Sequence, residues 1–411
     1  MYKRQVGILG AGIMGSCLAL ELARRGVDVT LIDRNDRVMS EASRFNEGKI
    51  HLGYLYGLDT SLKTARHLLP GGLLFADTLS DLLEWDVAAT ATLDDDAYLV
   101  DRDSLASPET LARQFAAVSA LIREHPDADR YLVDVSRAAA VPLTRAELDA
   151  VASDRIVAGF RVPERSVSTS RVADRIDEAV AAQSRITFLP GLTVTGVRTD
   201  PDPDAVAVLG FPAQSGSPQD PPADLGRFDV VVNALWGGRL TVDLTAGLTP
   251  PPGWTHRHRY CLFVRTRTHL DAPSAIVTLG PFGDVKNYNG RDFYLSWYPT
   301  GLVAEGGDVL LTAPPPPTGE ARDRFIADVR RGLGAALPWV GQILDAAESV
   351  TIAGGHVFAE GRGSIGDAHS DLHRRDRYGV TRRGRYLSVD TGKYSTAPWL
   401  ARRLADDLLG G

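Results

Sequence analysis

The chain opens on a short apolar run, Val6 to Leu9, that ends at Gly10-Ala11-Gly12-Ile13-Met14-Gly15. Apolar positions then recur at helical spacing to Arg25, Gly26 stops the pattern, and a second apolar run, Val27 to Ile32, ends at Asp33. This predicts strand, helix, strand. Residues 34 to 59 are polar and turn-rich. A helical pattern follows from about Thr60 to Leu83, a strand at 97–101, and a helix from Ser107 to Glu124 with Ser107 as cap and Pro108 first inside. A further short helix is expected within 142–152. From Val157 the pattern gives a strand, a loop and a helix capped by Ser168 or Ser170. Strands are expected at 186–189 and 192–198, with 205–211 pairing the latter as a hairpin, and a surface loop at 212–226. Phe228 to Ala234 reads as a buried parallel strand with a polar end. Residues 256–312 look antiparallel, with strands at 260–268, 274–281, 292–299 and 308–314. A helix from about Glu320 to Leu337 follows. The stretch 351–411 returns to short alternating elements, closing on a strand at 386–389 and a helix at 397–409.

The expected architecture is α/β. A discontinuous nucleotide-binding body takes residues 1–83, 157–240 and 351–411, and a second, α+β body built on an antiparallel sheet takes 84–156 and 241–350. A ligand between them would sit at the C-terminal ends of the parallel strands.

Composition changes this picture little. At 411 residues, 44% hydrophobic and 24% charged, the chain has core enough for two or three domains. A net charge of −7 gives no electrostatic footprint for nucleic acid. No apolar run reaches the ~18 residues that span a bilayer, and the N-terminus enters a strand at once, so a cytoplasmic protein is expected. Two cysteines, Cys17 and Cys261, fall within apolar patterns and imply neither disulfide framework nor metal site.

The first unit is the sharpest chemical signal. Gly10 permits a tight turn, Gly12 lets a diphosphate approach the backbone, and Gly15 lets helix and strand lie close. The phosphates would face the free N–H groups at the helix start. Asp33, at the end of the second apolar run, is placed to accept the ribose hydroxyls.

Four segments, in order over nearly the full length, resemble the FAD-dependent oxidoreductases of the D-amino-acid oxidase superfamily: GAGIMG with Asp33; ASRFNEGKIHLGYLY at 42–56; FDVVVNALWGG at 228–238; and SVDTGKYSTAPWLARRLADDLL at 388–409. The second is most similar to the branch holding L-2-hydroxyglutarate and glycerol-3-phosphate dehydrogenases, through Asn46, Gly48, Ile50, His51, Gly53, Tyr54 and Tyr56. Gly392-Lys393-Tyr394-Ser395-Thr396 is similar to a Gly-Lys-x-Thr-Thr turn of the glycerol-3-phosphate enzymes. The third departs from the usual Asn-Ala-Ala-Gly at Leu235-Trp236. The resemblance implies a Rossmann-type FAD domain with an inserted substrate domain. It implies FAD held by Gly10, Gly12, Ile13, Met14, Gly15, Asp33 and Arg34, then Ser43, Arg44, Asn46, Glu47, Gly48, Lys49, Ile50 and His51. Val194 over the adenine, Asn233, Ala234 and Gly237, and Gly392 to Thr396 complete the set.

In that reading a hydride passes to flavin N5 from a C–H bond beside a hydroxyl or amine, and oxygen or another acceptor reoxidises the flavin. His51 is a candidate base, covalent flavin link or structural ring. Tyr54, Tyr56, Tyr294, Trp297 and Tyr298 are candidates to line the substrate cavity. Arg291, His373, Arg374 and Arg375 are candidates to pair a substrate anion. His256, Arg257 and His258 read as a solvated strand rim. Three alternatives stay open: an amine or amino-acid oxidase of a secondary-metabolite or sugar intermediate, a nicotinamide-dependent dehydrogenase, and a non-catalytic flavin protein. Oligomeric state is not read from the sequence.

Overall fold

The computed structural model of the chain describes residues 5–199, 204–214 and 221–410. Its first sheet has six strands in the order Gly379–Arg383, Tyr386–Asp390, Val230–Asn233, Gln5–Leu9, Asp28–Ile32, Ile186–Leu189. All neighbours are parallel except the first pair. Strands buried on both faces read as continuous apolar runs, which is why Val6–Leu9 and Val230–Val232 are recognisable. The helix Ile13–Arg24 is buried over its first eleven residues, packed against Thr169–Ala182, Phe75–Leu83 and Ala397–Gly410. A small antiparallel sheet of Leu192–Arg198, Val206–Pro212 and Ala223–Phe228 lies beside it.

The second large sheet has nine strands. The long strand Trp254–Thr266 runs along Ala347–Glu360 on one edge. Its other edge is shared by Leu302–Gly306 and Asp292–Trp297. Gly283–Asn287, Ala275–Thr278, Asp96–Asp101, Ile156–Val162 and Val141–Pro142 continue the sheet. The pleat splits its side chains by charge. Leu262, Val264, Phe293, Leu295 and Val285 share one face, under Phe325, Val329 and Leu333 of the helix Gly319–Ala336. The opposite face carries Arg257, Arg259 and Cys261, then Tyr294, Asp284 and Lys286, then Tyr98 and Asp96. That charged face is buried rather than solvated: Asp96 and Lys286 are both fully buried.

Several elements differ from the sequence expectation. The helix expected at 60–83 is two, Lys63–Leu73 and Phe75–Leu83, because Pro70 lies inside the first and the chain turns at Leu74. Residues 308–314 form no strand; the chain pairs earlier, at Leu302–Gly306, and prolines from Pro314 on have no N–H to give a ladder. The surface loop expected at 212–226 contains part of the strand Ala223–Phe228, and its residues 215–220 lie outside the described residues. The sheet expected to be antiparallel is mixed, since Ala275–Thr278 and Asp96–Asp101 run parallel. Residues 351–360 are part of one 14-residue strand rather than short elements. Gly354 and Gly355 look like a break there, but a Cβ on either would strike Arg259 O or Ala42. By sheet membership, 157–162 and 351–360, expected in the first body, pair within the second sheet.

Candidate functional site

The turn between the first strand and helix is built as the motif demands. Gly10 has φ +96°, and a Cβ there would lie 2.7 Å from Ala234 O; one on Gly15 would lie 1.9 Å from Gly10 O. Gly12 faces Ser43, whose Oγ accepts from Ile13 N–H at 2.9 Å. The Asp33 carboxylate accepts from Ala11 N–H (2.7 Å) and from Asn35 N–H (2.9 Å). Met14 and Gly15 sit in the first helical turn, whose N–H groups have no acceptor within the helix. The glycine turn and the free N–H groups of the helix start leave a cradle that a dinucleotide fits.

The segment from Ser43 to His51 runs from that turn towards the charged sheet face. Asn46 folds it, donating to Ala42 O (2.8 Å) while its Oδ1 accepts from Gly48 N–H (2.8 Å). Arg44 pairs with Asp174 (2.7 Å) and Arg34 with Glu41 (2.6 Å). Lys49–Ile50 pairs with Arg165–Ser166, and Glu164 Oε1 accepts Leu52 N–H at 2.6 Å. Gly72 lies so close that a Cβ there would be 2.2 Å from His51 O, and Gly71 lies against Thr396. The two glycines of Pro70-Gly71-Gly72 therefore seat the helix Lys63–Leu73 on both loops at once.

Between loops and sheet lies a group of buried ionisable side chains. Lys286 Nζ pairs with Asp96 at 2.6 Å. Tyr98 donates its O–H to Glu164. Lys49 stands over the Tyr98 ring; burial opposes its charge, but Asp96, Glu164 and Asp284 outweigh that and hold its ammonium above the usual lysine value. His51 is 2% exposed and its Nδ1 has no partner. Burial, and then the charges of Lys393 and Lys49, push its pKa well below the ordinary histidine value, so the ring is neutral. Tyr56 lies 6.0 Å from the His51 ring, and Lys393 Nζ lies 5.6 Å over Tyr56. Burial, with Arg375 adding repulsion, lowers Lys393 to about 7. Arg257 donates to Tyr298 OH at 3.0 Å, and the Arg259 guanidinium covers the Tyr298 ring at 4.5 Å.

So the structure brings together His51, Tyr56, Tyr298, Arg375 and Lys393, and adds Arg257 and Arg259. It corrects the expectation of a solvated rim at 256–258. Trp254–Thr266 is an interior strand covered on both edges, and His256 is fully buried with Arg257 5% exposed. The alternation Arg257, Arg259, Cys261 is the available signal for one polar face.

Other candidates are placed elsewhere. Tyr54 is fully buried against Phe115, its OH bonded to Ser119 Oγ (2.9 Å). Arg291 lies at a sheet end, donating to Thr266 O (3.0 Å) and pairing with Glu348 (3.3 Å). Tyr294 is bonded to Cys261 Sγ, Trp297 packs on Gly332, and Arg374 is exposed. Asn233 is occupied within the fold, its Nδ2 near Tyr386 OH (2.7 Å) and Asp243 (3.0 Å). Gly237 lies against the His356 ring, and Val194 sits in the small sheet. Ser395 Oγ and Tyr394 OH are buried without partners beside Lys393. Among the described residues no cluster of His, Cys, Asp or Glu is suited to a metal, and no helix is long and apolar enough to cross a membrane.

Comparison with known proteins places these features in context. Residues 5–406 match the family model described as "FAD dependent oxidoreductase" (DAO). Glycine oxidase from Geobacillus kaustophilus is similar in structure, with TM-score 0.64 at 15% identity over 98% of this chain and 94% of that one. L-α-glycerophosphate oxidase from Mycoplasma pneumoniae, solved with FAD bound, gives 0.61 at 15% over 100% and 96%. These likenesses show the fold. A curated relative, the tRNA 5-methylaminomethyl-2-thiouridine biosynthesis bifunctional protein MnmC of Burkholderia multivorans, is 32% identical over 126 residues, which is 27% of this chain and only 18% of that protein. With the family model matched over nearly its whole length, the chain belongs to the DAO family of FAD-dependent oxidoreductases.

Proposed function

We propose that this protein oxidises a C–H bond next to a hydroxyl or an amine on a small polar substrate. The observation that carries this reading is His51: a neutral buried imidazole with a free Nδ1, close to the positive charges of Lys393, Lys49, Lys286 and Arg375. Bound FAD supplies the two-electron acceptor for hydride. The chain's residues do the rest. The turn at Gly10 to Gly15 and the Asp33 carboxylate hold the dinucleotide. Ser43, Ser395 and the backbone from Gly392 to Thr396 line its path, and Lys393 offers positive charge where reduction builds negative charge. His51 Nδ1 takes the substrate O–H or N–H proton as the hydride leaves. Burial by the helix Lys63–Leu73 keeps water from that ring. The 46–56 loop favours a hydroxyl substrate, and a soluble acceptor such as oxygen completes turnover.

The test is the visible spectrum of purified protein before and after acid precipitation, then anaerobic bleaching by panels of hydroxy and amino acids. Yellow supernatant and bleaching by one panel are expected, with bleaching slowed at least ~100-fold in His51→Asn. A protein that stays colourless with added FAD refutes the reading. Colour retained in the pellet would make His51 a link to flavin rather than a base.

A further inference from the structure

A histidine that moves protons is usually aimed by a third group bonded to its other ring nitrogen. His51 has no such group. Among the described residues no hydrogen bond reaches its ring, and the neighbouring Tyr56 ring is tilted and 6.0 Å away. A reacting group misplaced by about 1 Å loses about 100-fold in rate. The aim of the His51 ring therefore has to come from its backbone.

That backbone is pinned on both sides of the Cα. The peptide before His51 offers Ile50 O, which accepts from the Tyr131 O–H at 2.6 Å. The peptide after it offers Leu52 N–H, which donates to Glu164 Oε1 at 2.6 Å. Its other edge, His51 O, lies against Gly72, where a Cβ would come within 2.2 Å. Each peptide is planar, so holding both planes fixes φ and ψ of His51, and with them the direction of its Cβ. The two holding groups are tied to each other: the Tyr131 oxygen accepts from the N–H of Arg165, the residue after Glu164, at 2.9 Å. Glu164 is itself held. Its N–H donates to Val162 O across Pro163 at 2.8 Å, its C=O accepts from Asp96 N–H at 3.1 Å, and its Oε2 accepts from Tyr98 O–H. Glu164, Tyr98 and Tyr131 are all buried, so no water competes for these bonds.

We infer that Glu164 is a positioning residue of the reaction: its carboxylate aims the His51 imidazole by gripping the peptide of Leu52, while Tyr131 holds the peptide before. This rests on the functional reading above, in which His51 is the base. The role that a carboxylate bonded to the ring plays in other sites is here moved to the backbone. The consequence is chemical. Both ring nitrogens stay free, so the imidazole takes up a proton without first breaking a hydrogen bond of its own. The carboxylate bond is the stronger of the two holds, because its acceptor is charged.

The experiment uses FAD-saturated protein labelled with carbon-13 at histidine Cε1. The chain has nine histidines, and the His51 signal is the one missing from His51→Asn. One sharp His51 signal is expected in the parent. Glu164→Leu removes the acceptor and should broaden or split that signal. It should also slow anaerobic flavin reduction by the substrate found in the bleaching panels at least about tenfold, with substrate affinity held within about threefold. Glu164→Gln gives up the charge but keeps an oxygen for Leu52 N–H; it should restore the single signal and a rate within about threefold of the parent. Where Glu164→Leu fails to fold, Tyr131→Phe releases the preceding peptide and should broaden the His51 signal in the same way. A glutamate that only supports the fold would lower the melting temperature and leave the His51 signal sharp. That result, an unchanged signal in Tyr131→Phe, or a Gln variant as poor as the Leu variant overturns the inference. Panels without a substrate, or His51→Asn reducing flavin at the parent's rate, are instead failures of the functional reading, and the His51 signal still decides whether Glu164 aims the ring.

Discussion

Lys286→Met tests whether the charged sheet face is held together by pairing. Lys286 and Asp96 are each 0% exposed, and their atoms meet at 2.6 Å. At that separation, with an effective dielectric of about 20, the attraction is about 6 kcal/mol gross. Desolvation of the two ions cancels most of it. The methionine retains most of the lysine's volume but leaves Asp96 buried with its nearest cation gone. Removing one partner of a buried pair costs about 3–5 kcal/mol. Lys49 also neighbours Asp96, so the lower end, about 3 kcal/mol, is expected here. The double change Lys286→Met with Asp96→Leu removes both charges and should return to within about 1 kcal/mol of the parent. Urea unfolding of the FAD-saturated protein, followed by tryptophan fluorescence, reads both. A loss under about 1 kcal/mol for the single variant, or a double variant no better than the single, refutes the pairing argument.

Three further outcomes follow from the geometry. Gly15→Val places a side chain onto Gly10 O and should weaken FAD binding at least about tenfold, or about 1.4 kcal/mol, read as flavin content after gel filtration. Lys393 is lowered to about 7, so its ammonium is present below that pH and lost above it; flavin reduction should slow as pH rises through about 7, and that limb should vanish in Lys393→Met. Arg291→Ala should leave stability within about 0.5 kcal/mol and the reduction rate unchanged, since its partners lie at a sheet end; a large loss of rate would put Arg291 back in the site.

What is legible in the sequence is local. The unit from Val6 to Asp33 carries its own strand, turn, helix and acid in one unbroken stretch. Lys393 and Arg375 stand out within 351–411 because turn chemistry and runs of charge are visible in any sequence. Arg257 does not stand out as buried, because alternation of polar and apolar residues in a strand is the same whether the polar face meets water or a second layer. Only the pairing of Trp254–Thr266 with strands on both edges, and the covering loop at 43–51, distinguish the two. The long strand Ala347–Glu360 is hidden by its glycines, whose role is close approach. Tyr54 is drawn towards the site by its neighbours in a motif, yet the fold turns it the other way, onto Phe115.

The interleaving of the two bodies has a consequence for synthesis. The central pairing of the first sheet joins Val6 and Val230, far apart in the chain, and its neighbour Tyr386–Asp390 comes from the far end. Loop closure over such distances must precede the contacts that reward it. At about 5–20 residues per second, a ribosome needs roughly 20–80 s to release the strand that completes the sheet. For that time Val6–Leu9 lacks part of its sheet, and Val230–Val232, made later, keeps an open edge for roughly the last 8–32 s. Slowing translation between the second and last of these strands should raise aggregation of newly made protein without touching the stability of the finished one.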